Sequence, residues 1–210
     1  ASGSMDMPNR LPLLKAAFQL FVKNLRAIDT VSIVTYGGTV GIWLQPTSGA
    51  ETEKITKSIE ELTASGDTPG EAAIMTAYIL ANKTFIKGGS NRVILATDGD
   101  FNVGITSEKA LEDLITKERQ SGVYLTCLGV GMGNFKDSKL ETLAKKGNGN
   151  YAYLDDIHEA EKVLVKELTQ TFYGVADDVF MNIKFNPEFV KQYRLIGFDN
   201  RRDAVSDSTI

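Results

Sequence analysis

The sequence predicts an α/β protein, built on a doubly wound, mostly parallel sheet with one antiparallel edge strand. Three observations carry this. Apolar runs of strand length alternate with helical repeats from Thr30 to Phe172, the pattern of right-handed βα crossovers. Val93-Ile94-Leu95 and Val123–Val130 are almost unbroken apolar runs, the texture of strands buried on both faces. Thr30–Tyr36 alternates with period two and reaches Thr39–Leu44 through Gly37-Gly38, a hairpin that supplies the antiparallel edge.

The elements follow in order. Pro12 suits the first turn of a helix, and Leu14, Ala17, Phe18, Phe21, Val22 and Leu25 give that helix one apolar face through about Ala27. Beyond the hairpin, Glu51–Leu62 reads as a short, charged helix. Thr68-Pro69-Gly70-Glu71 has the form of a capping box with proline at the first helical position, and its helix runs to about Phe85. Gly88-Gly89 ends it before the Arg92–Thr97 strand. Ser107 caps a helix to about Gln120, and the Val123–Val130 strand follows. The helix Lys136–Lys146 is stopped by Gly147-Asn148-Gly149, leading to a short strand, Asn150–Leu154, and a last helix, Ile157–Phe172.

Past Tyr173-Gly174 the texture changes. Val179–Phe185 alternates, Pro187 intervenes, and Tyr193–Phe198 is again largely apolar, with no helical repeat between them. The expected organisation is an α/β domain over 1–173, then a linker and the opening of a β-rich module over 174–210.

Composition narrows the function. The 210 residues are 42% hydrophobic and 24% charged, as in an ordinary globular protein with a full core. A net charge of −4 argues against nucleic acid or an anionic membrane surface as partner. The single cysteine, Cys127, lies in an apolar run and reads as a buried small hydrophobe. Trp43 reads as a packing residue. No run has the length of a membrane span, and no signal peptide is evident.

The chemistry concentrates where the Arg92 strand ends, in Thr97-Asp98-Gly99-Asp100-Phe101-Asn102. In open α/β sheets the carboxyl ends of the strands are where ligands bind. Carboxylate and hydroxyl oxygens there suit a hard divalent cation. Taken alone, Asp98-Gly99-Asp100 would do no more than shape a solvated turn.

Two further stretches change that reading. Ser2-Gly3-Ser4-Met5, Gly66-Asp67-Thr68 and Thr97-Asp98-Gly99 resemble, in order, the three loops of a von Willebrand factor type A (VWA) domain, and the elements between them match as well. The resemblance covers Ala1 to Tyr173. It implies the Rossmann-like VWA fold and a metal-ion-dependent adhesion site (MIDAS). Ser2, Ser4 and Thr68 would supply hydroxyl oxygens, and Asp98 a carboxylate. Thr68 can cap its helix and serve a metal together, because a hydroxyl has two lone pairs and a proton.

The implied cofactor is Mg²⁺, with Mn²⁺ or Ca²⁺ as substitutes. A site of mostly neutral hydroxyls leaves the ion's charge uncompensated, so it attracts a partner's Asp or Glu. The implied function is therefore metal-dependent protein binding, for adhesion or assembly, with no enzymatic activity. Asp98→Ala is expected to abolish the metal and leave the fold intact. The family motif reads D-x-S-x-S at the end of a first apolar strand. Here Ala1 takes the first x, so the aspartate and its strand would precede the sequence. Metal binding is then expected to be weak.

The missing strand would sit between Thr30–Tyr36 and Arg92–Thr97. Its place is expected to be filled by a segment of a neighbouring chain, allowing self-association, or by closure of the flanking strands. Val179–Phe185 is expected at an outer edge or on another molecule. The tail from Asp177 to Arg201 resembles bacterial envelope proteins of the calcium-activated chloride channel-like type, which implies an extracytoplasmic, cell-envelope location.

Competing readings remain. Asp98-Gly99-Asp100 after a strand also resembles haloacid-dehalogenase phosphatases, with Asp98 as nucleophile, Asp100 as acid and Asp155-Asp156 as a distal pair. Asn102, however, stands where that family has threonine. The only histidine, His158, lies far along the chain and offers no general base. Gly129-Val130-Gly131-Met132-Gly133 brings its third glycine too early for a dinucleotide loop. The Asp98 run lacks the glycine and closing glutamate of an EF-hand. A structural module without metal is the third reading.

Overall fold

The computed structural model describes residues 3–37, 39–66, 70–98, 108–131, 138–167 and 182–193. The chain forms two compact units, Ala1–Tyr173 and Gly174–Ile210.

In the first unit a 3₁₀ turn, Gly3–Met5, precedes helix α1 (Leu11–Val22), which has Pro12 in its first turn. The hairpin is β1 (Thr30–Gly37) and β2 (Thr39–Ser48). Then come α2 (Thr52–Glu60), α3 (Gly70–Lys83), β3 (Asn91–Thr97), α4 (Glu108–Gln120), β4 (Val123–Val130), α5 (Ser138–Lys146), β5 (Tyr151–Leu154) and α6 (Ile157–Glu161). A π-helical stretch, Lys162–Glu167, continues α6. Asp156 caps α6, its Oδ1 accepting from the backbone N–H groups of His158 and Glu159, and this lowers the Asp156 pKa.

β3, β4 and β5 form a parallel sheet with β4 in the middle, and β1 pairs antiparallel with β2. Helices cover both faces. Val93, Leu95, Val123, Leu125 and Cys127 pack against α3, α4 and α5, whereas Leu128, Val130 and Leu154 pack against α1, α6 and Met5. This alternation is the period-two pleat of a strand covered on both sides. Each fully buried Leu or Ile contributes about 1.5–3 kcal/mol of burial. A smaller core of Val22, Leu44, Ile55 and Ile59 joins β2 to α1 and α2.

The reading of Cys127 as a buried small hydrophobe holds. His158 is exposed. Trp43 differs: it is 44% exposed, with its indole N–H donating to the Ser58 carbonyl at 2.8 Å. The ring anchors β2 to α2 at the surface and does not enter the core.

One sheet was expected, and two are found. Neither β1 nor β3 has a second ladder partner among the described residues, so the flanking strands have not closed on one another. The Tyr36 hydroxyl of β1 donates to the Ala96 carbonyl of β3 at 2.8 Å. A side chain thus satisfies an acceptor that a neighbouring strand would otherwise take.

In the second unit, residues 182–193 contain a turn and no strand. Within the alternating segment Val179–Phe185, the described part Asn182–Phe185 is exposed coil, and residues 179–181 lie outside the described residues. Alternation alone does not make a strand; a ladder partner is needed as well. Phe185 packs instead on Tyr193, ring centroids 4.4 Å apart.

Candidate metal centre

The sheet delivers Asp98 to the carboxyl end of β3, directly after buried Thr97. Gly66 has φ 64°, a left-handed conformation that glycine adopts without strain, and its carbonyl accepts from the Gly3 N–H at 3.1 Å. The first and second loops are therefore stitched together by backbone.

The third joins through an arginine. Arg10 Nη1 donates to Asp98 Oδ2 at 2.7 Å and to the Ser4 carbonyl at 2.6 Å. The Asp98 side chain is 1% exposed and that of Arg10 24%. Asp98 Oδ1 is buried without a hydrogen-bond partner among the described residues, and so is Arg10 Nε. A buried carboxylate oxygen left in this state is costly unless something cationic or protonated reaches it.

The surroundings add two tyrosines. Burial pushes the Tyr36 hydroxyl well above its ordinary pKa; its hydrogen bond with Thr97 opposes this, and the Asp98 charge adds to it. Burial also raises Tyr153, against the pull of Arg10 and with the push of Asp155.

Of the residues expected to hold a metal, Ser4 and Asp98 are brought together, with Arg10 bonded to both. Ser2, Thr68 and Asp100 lie outside the described residues. Among the described residues no three His, Cys, Asp or Glu side chains gather as a metal cluster. The candidate centre is of another kind, one carboxylate among hydroxyl-bearing loops, and the orphaned Asp98 Oδ1 fits a hard cation. Sequence reasoning missed Arg10. A signal was present, because it occupies the N-cap of α1, where Ser, Thr, Asp or Asn is usual and a cation opposes the helix dipole.

An α/β unit whose strand-end loops converge on a buried aspartate belongs to a recognisable class: the first unit has the von Willebrand factor type A fold. Residues 1–100 match the von Willebrand factor type A domain family, and residues 170–207 match the family described as "Uncharacterized protein YfbK, C-terminal". The chain is 47% identical over 204 residues to the Escherichia coli (strain K12) protein called "Uncharacterized protein YfbK". That match takes in 97% of this chain and 36% of the relative's length.

Solved structures agree on the fold. The von Willebrand factor type A structure from Catenulispora acidiphila gives a TM-score of 0.65 at 19% identity, over 80% of this chain and 39% of that one. Proximal thread matrix protein 1 from the mussel byssus, solved "with zinc occupied MIDAS motif", gives 0.62 at 22% identity, over 81% and 43%.

Proposed function

We propose that the first unit is a protein-binding module, for adhesion or assembly, in which Ser2, Ser4, Thr68 and Asp98 hold a divalent cation, Mg²⁺ or a substitute such as Mn²⁺ or Ca²⁺. The supporting observation is Asp98: a buried carboxylate with one oxygen spoken for and the other without a partner among the described residues, where loops from three parts of the chain converge. When bound, the cation supplies an open coordination position for a carboxylate from outside. The chain's own part is to fix Asp98 at the end of a rigid strand and to hold the first loop against the second. The likeness to a protein solved with an occupied MIDAS motif supports this reading.

The partner would present an Asp or Glu. Nucleic acid is not a partner on this reading, given the net charge of −4. No helix among the described residues is long and apolar enough to cross a membrane. A cell-envelope, extracytoplasmic location follows from the resemblance of the tail. The edges of β1 and β3, unpaired among the described residues, would admit an extended segment of a second copy, which is a route to self-association.

Titration with Mn²⁺ tests the site. The chain is expected to bind weakly and Asp98→Asn not at all; equal binding by the two would remove Asp98 from the site. The same samples are expected to leave an aryl phosphomonoester intact, since no nucleophile–base pair is described near Asp98. Metal-dependent turnover lost in Asp98→Asn would favour the phosphatase reading.

A further inference from the structure

We propose that Arg10 is the built-in counter-ion of this site, and that a divalent cation binds only as the Arg10 guanidinium leaves Asp98. The inference rests on the metal-site reading above and adds to it a residue that sets the site's affinity. Arg10 bonds the two described candidate residues at once, Asp98 through its carboxylate and Ser4 through its carbonyl, at 2.7 and 2.6 Å. Its seat is formed from separate elements. Gly131, just beyond β4 and at φ 137°, lies along the arginine, so that a Cβ there would stand 3.5 Å from Nε and 3.9 Å from Cγ. Tyr153 of β5 is close enough to feel its charge.

Charge balance makes the two cations exclusive. With Arg10 in place, Asp98 is neutralised by one positive charge. Adding a dication beside the same carboxylate would put three positive charges against one negative in a largely buried site, where repulsion is poorly screened. A metal on Asp98 Oδ1 would stand beside the guanidinium held on Oδ2 of the same carboxylate. The guanidinium must swing out, and its partial exposure shows a way to solvent. Apparent metal affinity is then the intrinsic affinity scaled by the fraction of molecules with Arg10 displaced. An arginine that merely packs would impose no such scaling.

The experiment measures Mn²⁺ affinity of the full chain by calorimetry, with melting curves in EDTA and in excess Mn²⁺. Arg10→Gln is expected to bind Mn²⁺ about tenfold or more tightly than the unaltered chain. Arg10→Lys, which keeps a cation, is expected to stay near the unaltered chain. In EDTA Arg10→Gln should melt lower, because Asp98 has lost its counter-ion, and Mn²⁺ should raise its Tm more than it raises that of the unaltered chain. If Arg10→Gln does not fold, Arg10→Met takes its place by keeping the apolar stem.

Equal Mn²⁺ affinity in the unaltered chain and Arg10→Gln would overturn the role of Arg10 and leave the metal site standing. No Mn²⁺ binding by either folded protein would overturn both. A variant unfolded in EDTA and restored by Mn²⁺ supports the exchange of one cation for the other; one that Mn²⁺ fails to restore counts against it.

Discussion

Gly149→Ala is expected to lower the stability of the first unit by about 3 kcal/mol or more. The added methyl group would collide with the Leu125 carbonyl oxygen and stand 3.1 Å from the Thr126 backbone nitrogen, and neither is the end of a flexible side chain. The segment cannot simply lift away. Leu125 N–H donates to the Gly147 carbonyl at 3.0 Å and Cys127 N–H to the Asn150 carbonyl at 2.9 Å, so the Gly147–Asn150 connection lies bonded along the central strand. Asn148, at φ 52°, makes the turn between the two close approaches. For a unit of this size the loss corresponds to a fall in Tm of roughly 6–12 °C. Gly41→Ala is the control: nothing lies within 4 Å of a Cβ there, and it should change stability little. Thermal melts of the two variants decide it, and similar small shifts would show that the connection can relax away from β4.

Asp98→Ala is expected to destabilise the fold as well as remove metal binding. From the sequence this substitution looked harmless, a carboxylate lifted from a rim loop. The side chain is in fact 1% exposed and ion-paired, so truncating it leaves the Arg10 guanidinium without its main partner. The cost is about 2–4 kcal/mol, below that of a fully buried pair because Arg10 keeps contact with water. Asp98→Asn should cost less, since an amide oxygen still accepts from Nη1. Replacing both members, Arg10→Met with Asp98→Leu, should recover most of the loss, because a matched apolar pair carries no stranded charge. Urea unfolding of the unaltered chain, Arg10→Met, Asp98→Leu and the double variant gives the coupling. Strictly additive effects would mean that the 2.7 Å contact carries little energy.

Why Asp98 was legible and Arg10 was not follows from how each is specified. An apolar run ending in a turn fixes the end of a strand, so the bounds of Val123–Val130 coincide with β4 and Asp98 falls at the end of β3. Helix ends are set by weaker, competing signals. The first helix stops at Val22 instead of continuing to about Ala27, because the chain must turn at Arg26 and Asp29, whose side chains pair at 2.8 Å, before β1 begins. Arg10 belongs to no motif. Its partner is 88 residues away, and only the assembled sheet brings the two within hydrogen-bonding distance. The break into two sheets was not legible either: strand periodicity says which residues share a face, not whether a neighbour is present to pair with an edge.

That edge, unpaired among the described residues, gives β3 two kinds of backbone amide. In a strand the N–H and C=O of one residue point the same way, and successive residues point to opposite sides. Ala96 turns its carbonyl to Tyr36, away from β4, so Ala96, Ile94 and Arg92 direct their N–H groups to the open side. Val93, Leu95 and Thr97 direct theirs into the ladder with β4. Solvent deuterium should therefore label the strand like a comb, with every second position exchanging at least about tenfold faster than its neighbours. Side-chain burial runs in step with this, since Val93, Leu95 and Thr97 are the deeply buried residues and also the slow ones. A strand laid into the gap from outside would erase the comb without changing any side chain of the protein, so isotope exchange at Ile94 and Ala96 reports occupancy of that edge residue by residue.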